Sequence, residues 1–368
     1  MSTGKNKFNQ KDSFFMNLAF NLARDRFGLT GENPPVGCVI VKNNEIISTG
    51  QTGLKGRPHA EFNAIKSCKK NLKESTMYVS LEPCTHYGKT PPCSNLIIKS
   101  KIKKVIFSIT DIDKRTNGKS FKLFKSKNII VKNGLLKKKG NKFYEPYIYN
   151  KTKNLPFVTG KLAVSKDNFI YSKKKLRITN KYSEKIVHLL RYVNDSILIS
   201  SKTLNADNPR LNCRLRGLSN FSPKRIILDR HLSIKKNSQI YLTSINNNTI
   251  IFYNKGEQKK INLLKKKGIK LIKLTVNKDN LFDLKLVLKN IFSIGCRNLL
   301  VEGGKNLTNS FLKNNLFNEF YLFKNSNKLG STGKFNLSTQ LHQLAFKYKN
   351  KSNLNSFTGN DIINIYSK

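Results

Sequence analysis

The chain has 368 residues, 38% of them hydrophobic, with only six scattered cysteines; this accommodates two globular domains and excludes a fibre, a disordered polymer or a disulfide framework. No apolar run approaches the roughly 20 residues that cross a bilayer, and the opening MSTGKNKFNQKDSFF has no apolar segment behind its lysines, so a cytoplasmic protein without a membrane partner is predicted. The formal charge of +48 is mostly lysine, dispersed in runs such as those at 137, 173 and 265, which fits codon drift on surface positions and an anionic, phosphorylated substrate better than a dedicated nucleic-acid face built from clustered arginine and aromatics.

In chain order, KDSFFMNLAFNLARDRFG places Phe14, Phe15, Leu18, Ala19 and Leu22 at helical spacing, with Ser13 as N-cap and Gly28 as C-cap. VGCVIV and EIISTG flank KNN as a hairpin, and TMYVSL, KKVIFSI and NIIVKNG read as further strands between helices. This mixed α/β unit closes near residue 150, where YNKTKNLP has linker character and FVTGKLAVS restarts the pattern. A helix at KYSEKIVHLLRY follows, then strands at SILIS, RIILD and TIIFY, a helix at LFDLKLVLKNIF, and a strand at NLLVEGG that enters a glycine turn. Such alternation predicts a parallel-rich sheet covered by helices. The halves share no repeat, so the expected domains are 1–150 and 155–368.

The stretch LEPCTHYGKTPPC sets Cys84 and Cys93 each directly after a proline, with eight residues between them. Upstream, GRPHAEFNAIKSC puts His59 and Glu61 at the start of a helix on which Phe62, Ile65 and Cys68 recur every third residue. One imidazole and two thiolates make three ligands and leave the fourth tetrahedral position of zinc for water, a catalytic arrangement. Helix N-termini favour thiolate at cysteine. Zinc acidifies a bound water to a pKa of about 7, and Glu61 is placed to carry its proton to a leaving amine. Individually each residue has a bland reading as cap, dipole complement or turn. Jointly His59, Glu61, Cys84 and Cys93 match the zinc-deaminase signature, H-x-E followed by P-C and a second cysteine.

The wide gap between the cysteines, together with NPPVGCVIV and YVSLEPCTHYGKTPPC, resembles the deaminase half of the bifunctional riboflavin-biosynthesis deaminase/reductase family; nucleic-acid adenosine deaminases and most cytidine deaminases have a far shorter gap. The resemblance implies a cytidine-deaminase-like α/β/α domain with one zinc ion. It also implies that Asn33 holds the pyrimidine and that His86 and Lys89 bind the phosphorylated substrate. DIDKRTNGKS departs from the family's DPNP-type segment but keeps Asp111 and Gly118.

Later landmarks resemble the family's reductase: Lys161, Ala163, Ser165 and Asp167 in TGKLAVSKDN, Thr203, Asp207, Pro209 and Leu211 in KTLNADNPRLNCR, and the glycines of VEGGKNL. They imply a dihydrofolate-reductase-like α/β domain that uses NADPH to reduce a ribosyl group to ribityl. Lys161, Asp207 and Glu302 would stand nearest the chemistry, with Arg191, Leu211 and Arg214 on the substrate side. Val164, Arg177, Thr203, Asp207, Gly303 and Gly304 would contact the cofactor. Three departures are Asn168 for a glycine, Arg177 for a tryptophan and Asn318 for an aspartate. A homo-oligomer is expected. The alternatives are a nucleotide or tRNA-base deaminase with an added domain of other function, which the broad charge favours, and a non-catalytic basic protein with structural zinc.

Overall fold

The computed structural model describes residues 8–174, 177–245, 248–354 and 356–368. Contacts divide the chain into two units, Met1–Asn154 and Leu155–Lys368.

The first unit is built on five strands, β1 (Gly37–Lys42), β2 (Glu45–Gln51), β3 (Thr76–Leu81), β4 (Lys104–Ile109) and β5 (Ile130–Asn133), in the order β2-β1-β3-β4-β5. β1 runs antiparallel to both neighbours, while β3, β4 and β5 are parallel. Asn43 and Asn44 turn the hairpin with φ of 51° and 64°, the left-handed pair whose twist matches flanking strands. Among the described residues six α-helices cover the sheet: α1 (Gln10–Arg24), α2 (Ala60–Ser67), α3 (Cys93–Lys99), α4 (Lys119–Ser126), α5 (Lys137–Phe143) and α6 (Glu145–Lys153). Strand alternation sends Cys38 and Ile40 toward α2 and α3, and Val39 and Val41 toward α1. Both faces are therefore buried, giving three layers.

Three local expectations are corrected. α1 starts earlier than Ser13, because the Asn9 side chain accepts from the Asp12 amide and the Asp12 carboxylate accepts from the Asn9 amide, a reciprocal cap; its C-cap is Asp25 rather than Gly28. The buried side of α2 is Ala60, Glu61, Ala64 and Ile65, and Phe62 faces out. The expected linker is the last turn of α6, which ends on left-handed Asn154.

The second unit contains β6 (Phe157–Val164), β7 (Phe169–Ser172), α7 (Lys181–Val193), β8 (Ser196–Ser200), α8 (Ser201–Asp207), β9 (Lys224–Leu228), α9 (Gln239–Leu242) and β10 (Thr249–Tyr253). Next come α10 (Gln258–Lys266), β11 (Lys270–Lys273), α11 (Leu284–Ser293), β12 (Asn298–Val301), α12 (Lys305–Lys313) and β13 (Glu319–Lys324). The chain ends with β14 (Gly333–Asn336), α13 (Ser338–Lys347), β15 (Asn350–Asn353) and β16 (Ile362–Ser367). Nine strands form one sheet in the order β11-β10-β9-β8-β12-β6-β13-β16-β15. β11 through β13 in that order are parallel, and β16 and β15 are antiparallel additions at one edge. β7 and β14 pair separately.

Alternation again serves two cores: Leu198, Ile226 and Leu299 pack on one face, Ile197, Ile227 and Leu300 on the other. Because β12 inserts between β8 and β6, the carboxyl ends of three parallel strands lie side by side, the location where open α/β sheets bind ligands.

Candidate active sites

His59 is the residue before α2 and makes no side-chain cap bond there, so its ring is free to point elsewhere. Cys84 follows β3, and Cys93 opens α3 after Pro92. The Ser94 amide donates to the Cys84 carbonyl at 3.1 Å and the Cys93 amide to Cys84 Sγ at 3.2 Å, fastening the two cysteine segments together. His59 Nδ1 lies 3.5 Å from Cys84 Sγ and 3.4 Å from Cys93 Sγ. A tetrahedral zinc ion with ordinary Zn–N and Zn–S bonds requires N···S edges of about 3.5 Å, so the donor set fits zinc in element and in size. His59 and Cys84 are half-buried and Cys93 is buried, which leaves one side of the triangle approachable.

Glu61, on the first turn of α2, is 4% exposed, and burial pushes its carboxyl up to about 7. The Cys84 thiol is held down to about 4 by the hydrogen bond from Cys93 and then by His59, while hydrogen bonding to Cys84 raises His59. Cys93, buried and bonded to that thiolate, is raised. One thiolate therefore forms readily, and binding a metal would release the proton of the other.

α2 reaches this place because Gly50 of β2 carries no side chain: a Cβ there would lie 2.2 Å from the Ala60 carbonyl oxygen and 2.4 Å from the Ala64 nitrogen. Asn33 Nδ2 donates to the Gly56 carbonyl at 2.9 Å, binding its loop to the segment that leads into His59. His86 Nδ1 is 3.2 Å from Thr116 Oγ1. Burial, then Arg115, holds its imidazole below the ordinary range. Lys89 is exposed on the loop between the cysteines, whose Thr90 hydroxyl accepts from Arg57 Nη1 at 2.6 Å.

Sequence reasoning assigned no role to Glu82. Its buried carboxylate accepts from the amides of Asp111 and Gly118 through Oε2, and from the Ser120 amide and hydroxyl through Oε1. Glu82 thus ties the start of the ligand loop to the DIDKRTNGKS segment. The Tyr147 hydroxyl adds a bond to Asp111 Oδ1 at 2.9 Å. A carboxylate directly before Pro-Cys was the one available hint.

In the second unit Arg191 of α7 and Glu302, just after β12, form a two-pronged ion pair of 2.8 and 2.9 Å with side chains 11% and 14% exposed. Lys161 of β6 has its Nζ 5.2 Å from the Phe323 ring centroid; burial pushes its ammonium down, opposed by Glu302. Lys161, Arg191 and Glu302 are therefore brought together. Arg191 Nη1 also donates to the Asn212 carbonyl, and the Arg214 amide donates to His188 Nδ1.

A Cβ on Gly304 would meet the Thr203 hydroxyl at 3.7 Å, which makes these two residues neighbours. Gly303 packs on Leu307, and α12 begins after Gly304 without a side-chain cap, an arrangement that suits phosphate oxygens. The remaining candidates are dispersed. Val164 is fully buried, with its carbonyl bonded to the Asn325 amide. Arg177 is exposed and ion-paired with Glu184 at 2.7 Å. Asp207 ends α8 at the surface, its carboxyl raised by partial burial. Leu211 is buried with φ of 54°. Asn168 occupies the left-handed region at φ 68°, which asparagine tolerates where the resemblance expects glycine. Asn318 Oδ1 accepts from the Val158 amide at 2.8 Å, so the amide still supplies an acceptor in place of a carboxylate.

Two family descriptions match the chain: the cytidine and deoxycytidylate deaminase zinc-binding region over residues 9–109 and the RibD C-terminal domain over 156–357. Riboflavin biosynthesis protein RibD of Aquifex aeolicus is 32% identical, with 97% of this chain and 98% of that protein aligned. RibD of Bacillus amyloliquefaciens is 34% identical over 85% of this chain and 84% of its own length. Among solved structures, the Thermotoga maritima diaminohydroxyphosphoribosylaminopyrimidine deaminase/5-amino-6-(5-phosphoribosylamino)uracil reductase superposes with a TM-score of 0.83 at 29% identity, covering 97% of this chain and 98% of that one. Acinetobacter baumannii RibD gives 0.81 at 26% identity, covering 97% and 99%. The chain belongs to the RibD family of riboflavin biosynthesis proteins, with a zinc-binding deaminase region followed by a reductase domain.

Proposed function

We propose that the first unit, expected over 1–150, hydrolyses the exocyclic amino group of a diaminopyrimidinone ribose 5′-phosphate, and that the second, over 155–368, then reduces the ribosyl group of the product to ribityl with NADPH. The observation that carries the first step is the triangle of His59 Nδ1 and the two sulfurs, with the buried Glu61 carboxyl on the adjoining helical turn. His59, Cys84 and Cys93 would hold zinc, which supplies an acidified water near neutral pH. Glu61, whose carboxyl is buried and raised by that burial, accepts the first proton of the attacking water and passes it to the ring nitrogen, then takes the second from the added hydroxyl and passes it to the amino group, which departs as ammonia. Asn33 orients the pyrimidine, and His86 and Lys89 meet the phosphate at the exposed loop.

For the second step NADPH would supply the hydride, which goes to the first carbon of the opened ribosyl imine. Gly303, Gly304 and Thr203 form the phosphate turn, and Val164, Arg177 and Asp207 are the further cofactor contacts proposed. Lys161, buried with Glu302 as its counter-charge, would give the proton that the imine nitrogen takes up as the hydride reaches the carbon. Arg191 and Arg214, with Leu211, bound the substrate phosphate. We further propose one zinc per chain and a homo-oligomer acting in the cytoplasm without a specific nucleic-acid partner; the described residues include no helix long and apolar enough to cross a membrane.

A two-stage assay tests the reading. Ammonia should appear from the diaminopyrimidinone phosphate without NADPH, and NADPH should be consumed only after that release. NADPH consumption before any ammonia, or none at all, refutes the order or the second activity.

A further inference from the structure

We propose that His188 is a positioning residue of the reductase, its imidazole fixing the backbone of segment 211–214 so that Arg214 is presented to the substrate phosphate. The inference rests on the reading above that Arg214 meets that phosphate. Segment 208–214 connects α8 to the surface with no regular structure, and it does so in an unfavourable conformation. Asn208 and Leu211 have φ of 43° and 54°. For leucine, a bulky residue, the left-handed region brings Cβ against the next carbonyl and persists only when the surroundings enforce it.

Those surroundings can be named. The Leu211 side chain is 2% exposed in the core. Arg225 Nη1 donates to the Arg210 carbonyl and the Cys213 amide donates to Ser222 Oγ. The rest comes from one face of α7, where His188 and Arg191 lie three residues apart. Arg191 Nη1 donates to the Asn212 carbonyl at 3.2 Å, and the Arg214 amide donates to His188 Nδ1 at 3.3 Å. Arg191 is itself locked by Glu302, so α7 is a rigid base for the clamp. Arg214 donates through Nη1 to Asn212 Oδ1 at 3.0 Å, and its other guanidinium donors have no hydrogen-bond partner among the described residues.

The clamp needs Nδ1 as an acceptor, hence a neutral ring with its proton on Nε2. The charged groups that face it are Arg191 from α7, Arg214 from the segment and Glu302 from the end of β12. Burial and the two guanidiniums favour the neutral ring, and the Asn212 backbone and Glu302 oppose them. Protonation would turn Nδ1 into a donor pointing at the Arg214 N–H, and the link would open.

The test is steady-state reductase kinetics of the full chain on the deaminated intermediate with NADPH, comparing wild type, His188→Ala, His188→Asn and Arg214→Ala across pH. Loss of one hydrogen bond predicts a KM for the phosphorylated substrate about fivefold higher in His188→Ala, with kcat and the KM for NADPH unchanged. His188→Asn, whose Oδ1 can take the place of Nδ1, should restore the wild-type KM. Wild-type KM should climb as pH falls below the ordinary histidine range. The substrate phosphate also titrates near pH 6, so the decisive comparison is with His188→Asn at the same pH, where the additional rise should be missing.

An unchanged KM in His188→Ala, a His188→Asn no better than alanine, or an identical acid limb in both proteins overturns the inference. Should His188→Ala not fold, the asparagine variant and the wild-type pH profile decide the question. Arg214→Ala separates the two layers: an unaltered KM there refutes the phosphate reading itself, whereas a raised KM with a silent His188→Ala refutes only the clamp.

Discussion

Glu82→Gln would show how the zinc-ligand loop is held. Glu82 is 3% exposed, with the Asp111 and Gly118 amides at 3.1 and 3.0 Å from Oε2 and the Ser120 amide and hydroxyl at 3.1 and 2.8 Å from Oε1. Glutamine has the same shape but turns one acceptor into a donor. In the Oε2 place its nitrogen would face two backbone N–H groups that have no other acceptor among the described residues. In the Oε1 place it would strand only the Ser120 amide, since the hydroxyl can rotate and accept, so this orientation prevails. The stranded amide costs about 1–3 kcal/mol, and the two surviving bonds each lose about 1 kcal/mol of charge assistance, partly offset because a neutral amide is easier to bury than a carboxylate. The net loss is about 2–4 kcal/mol. In urea this corresponds to a midpoint about 1–2 M lower for the first unit, followed by circular dichroism and by zinc release to a chromogenic chelator. A midpoint unchanged from wild type would refute the claim that this carboxylate anchors the loop.

Glu61→Gln should keep zinc and reductase activity while ammonia release falls by about 10²–10⁴-fold; a variant that deaminates at the normal rate removes Glu61 from its role. Gly50→Ala puts a Cβ where the Ala60 carbonyl stands 2.2 Å away, so α2 must retreat by about 1 Å, a misplacement that costs about 100-fold in deamination. Reductase activity should persist, and normal ammonia release would show that the strand accommodates a methyl group. Glu302→Gln leaves Arg191 buried without its counter-charge, which costs about 3–5 kcal/mol and abolishes reduction. Combining Glu302→Leu with Arg191→Met should recover most of the thermal stability but no activity; recovery of activity would mean that the pair only holds the fold.

Much of the first site was legible in the sequence alone. Zinc chemistry demands particular residue types at element ends, and helices and strands fix where those ends fall, so His59, Glu61, Cys84 and Cys93 could be named before any coordinate. Apolar, β-rich runs likewise predicted the five strands of the first sheet and β6, β8, β9, β10 and β12 of the second, whereas β11, β13, β15 and β16 were not read from the sequence: β11 and β15 are short and largely exposed, and β13 and β16 gain their places only by pairing beside β6. Other features were settled only by contacts between distant segments. Glu82 meets partners 29 to 38 residues on, Arg191 meets Glu302 across 111 residues, and Asn318 reaches Val158 across 160. A carboxylate or guanidinium carries no local mark of its eventual partner, so the exposed pairing of Arg177 with Glu184 also came only from the structure. The same limit applied to Phe62, whose spacing suited a core position although α2 presents Ala60 and Ala64 to the sheet. Spacing along a helix decides which residues share a face, and only the close approach allowed by Gly50 decides which face turns inward.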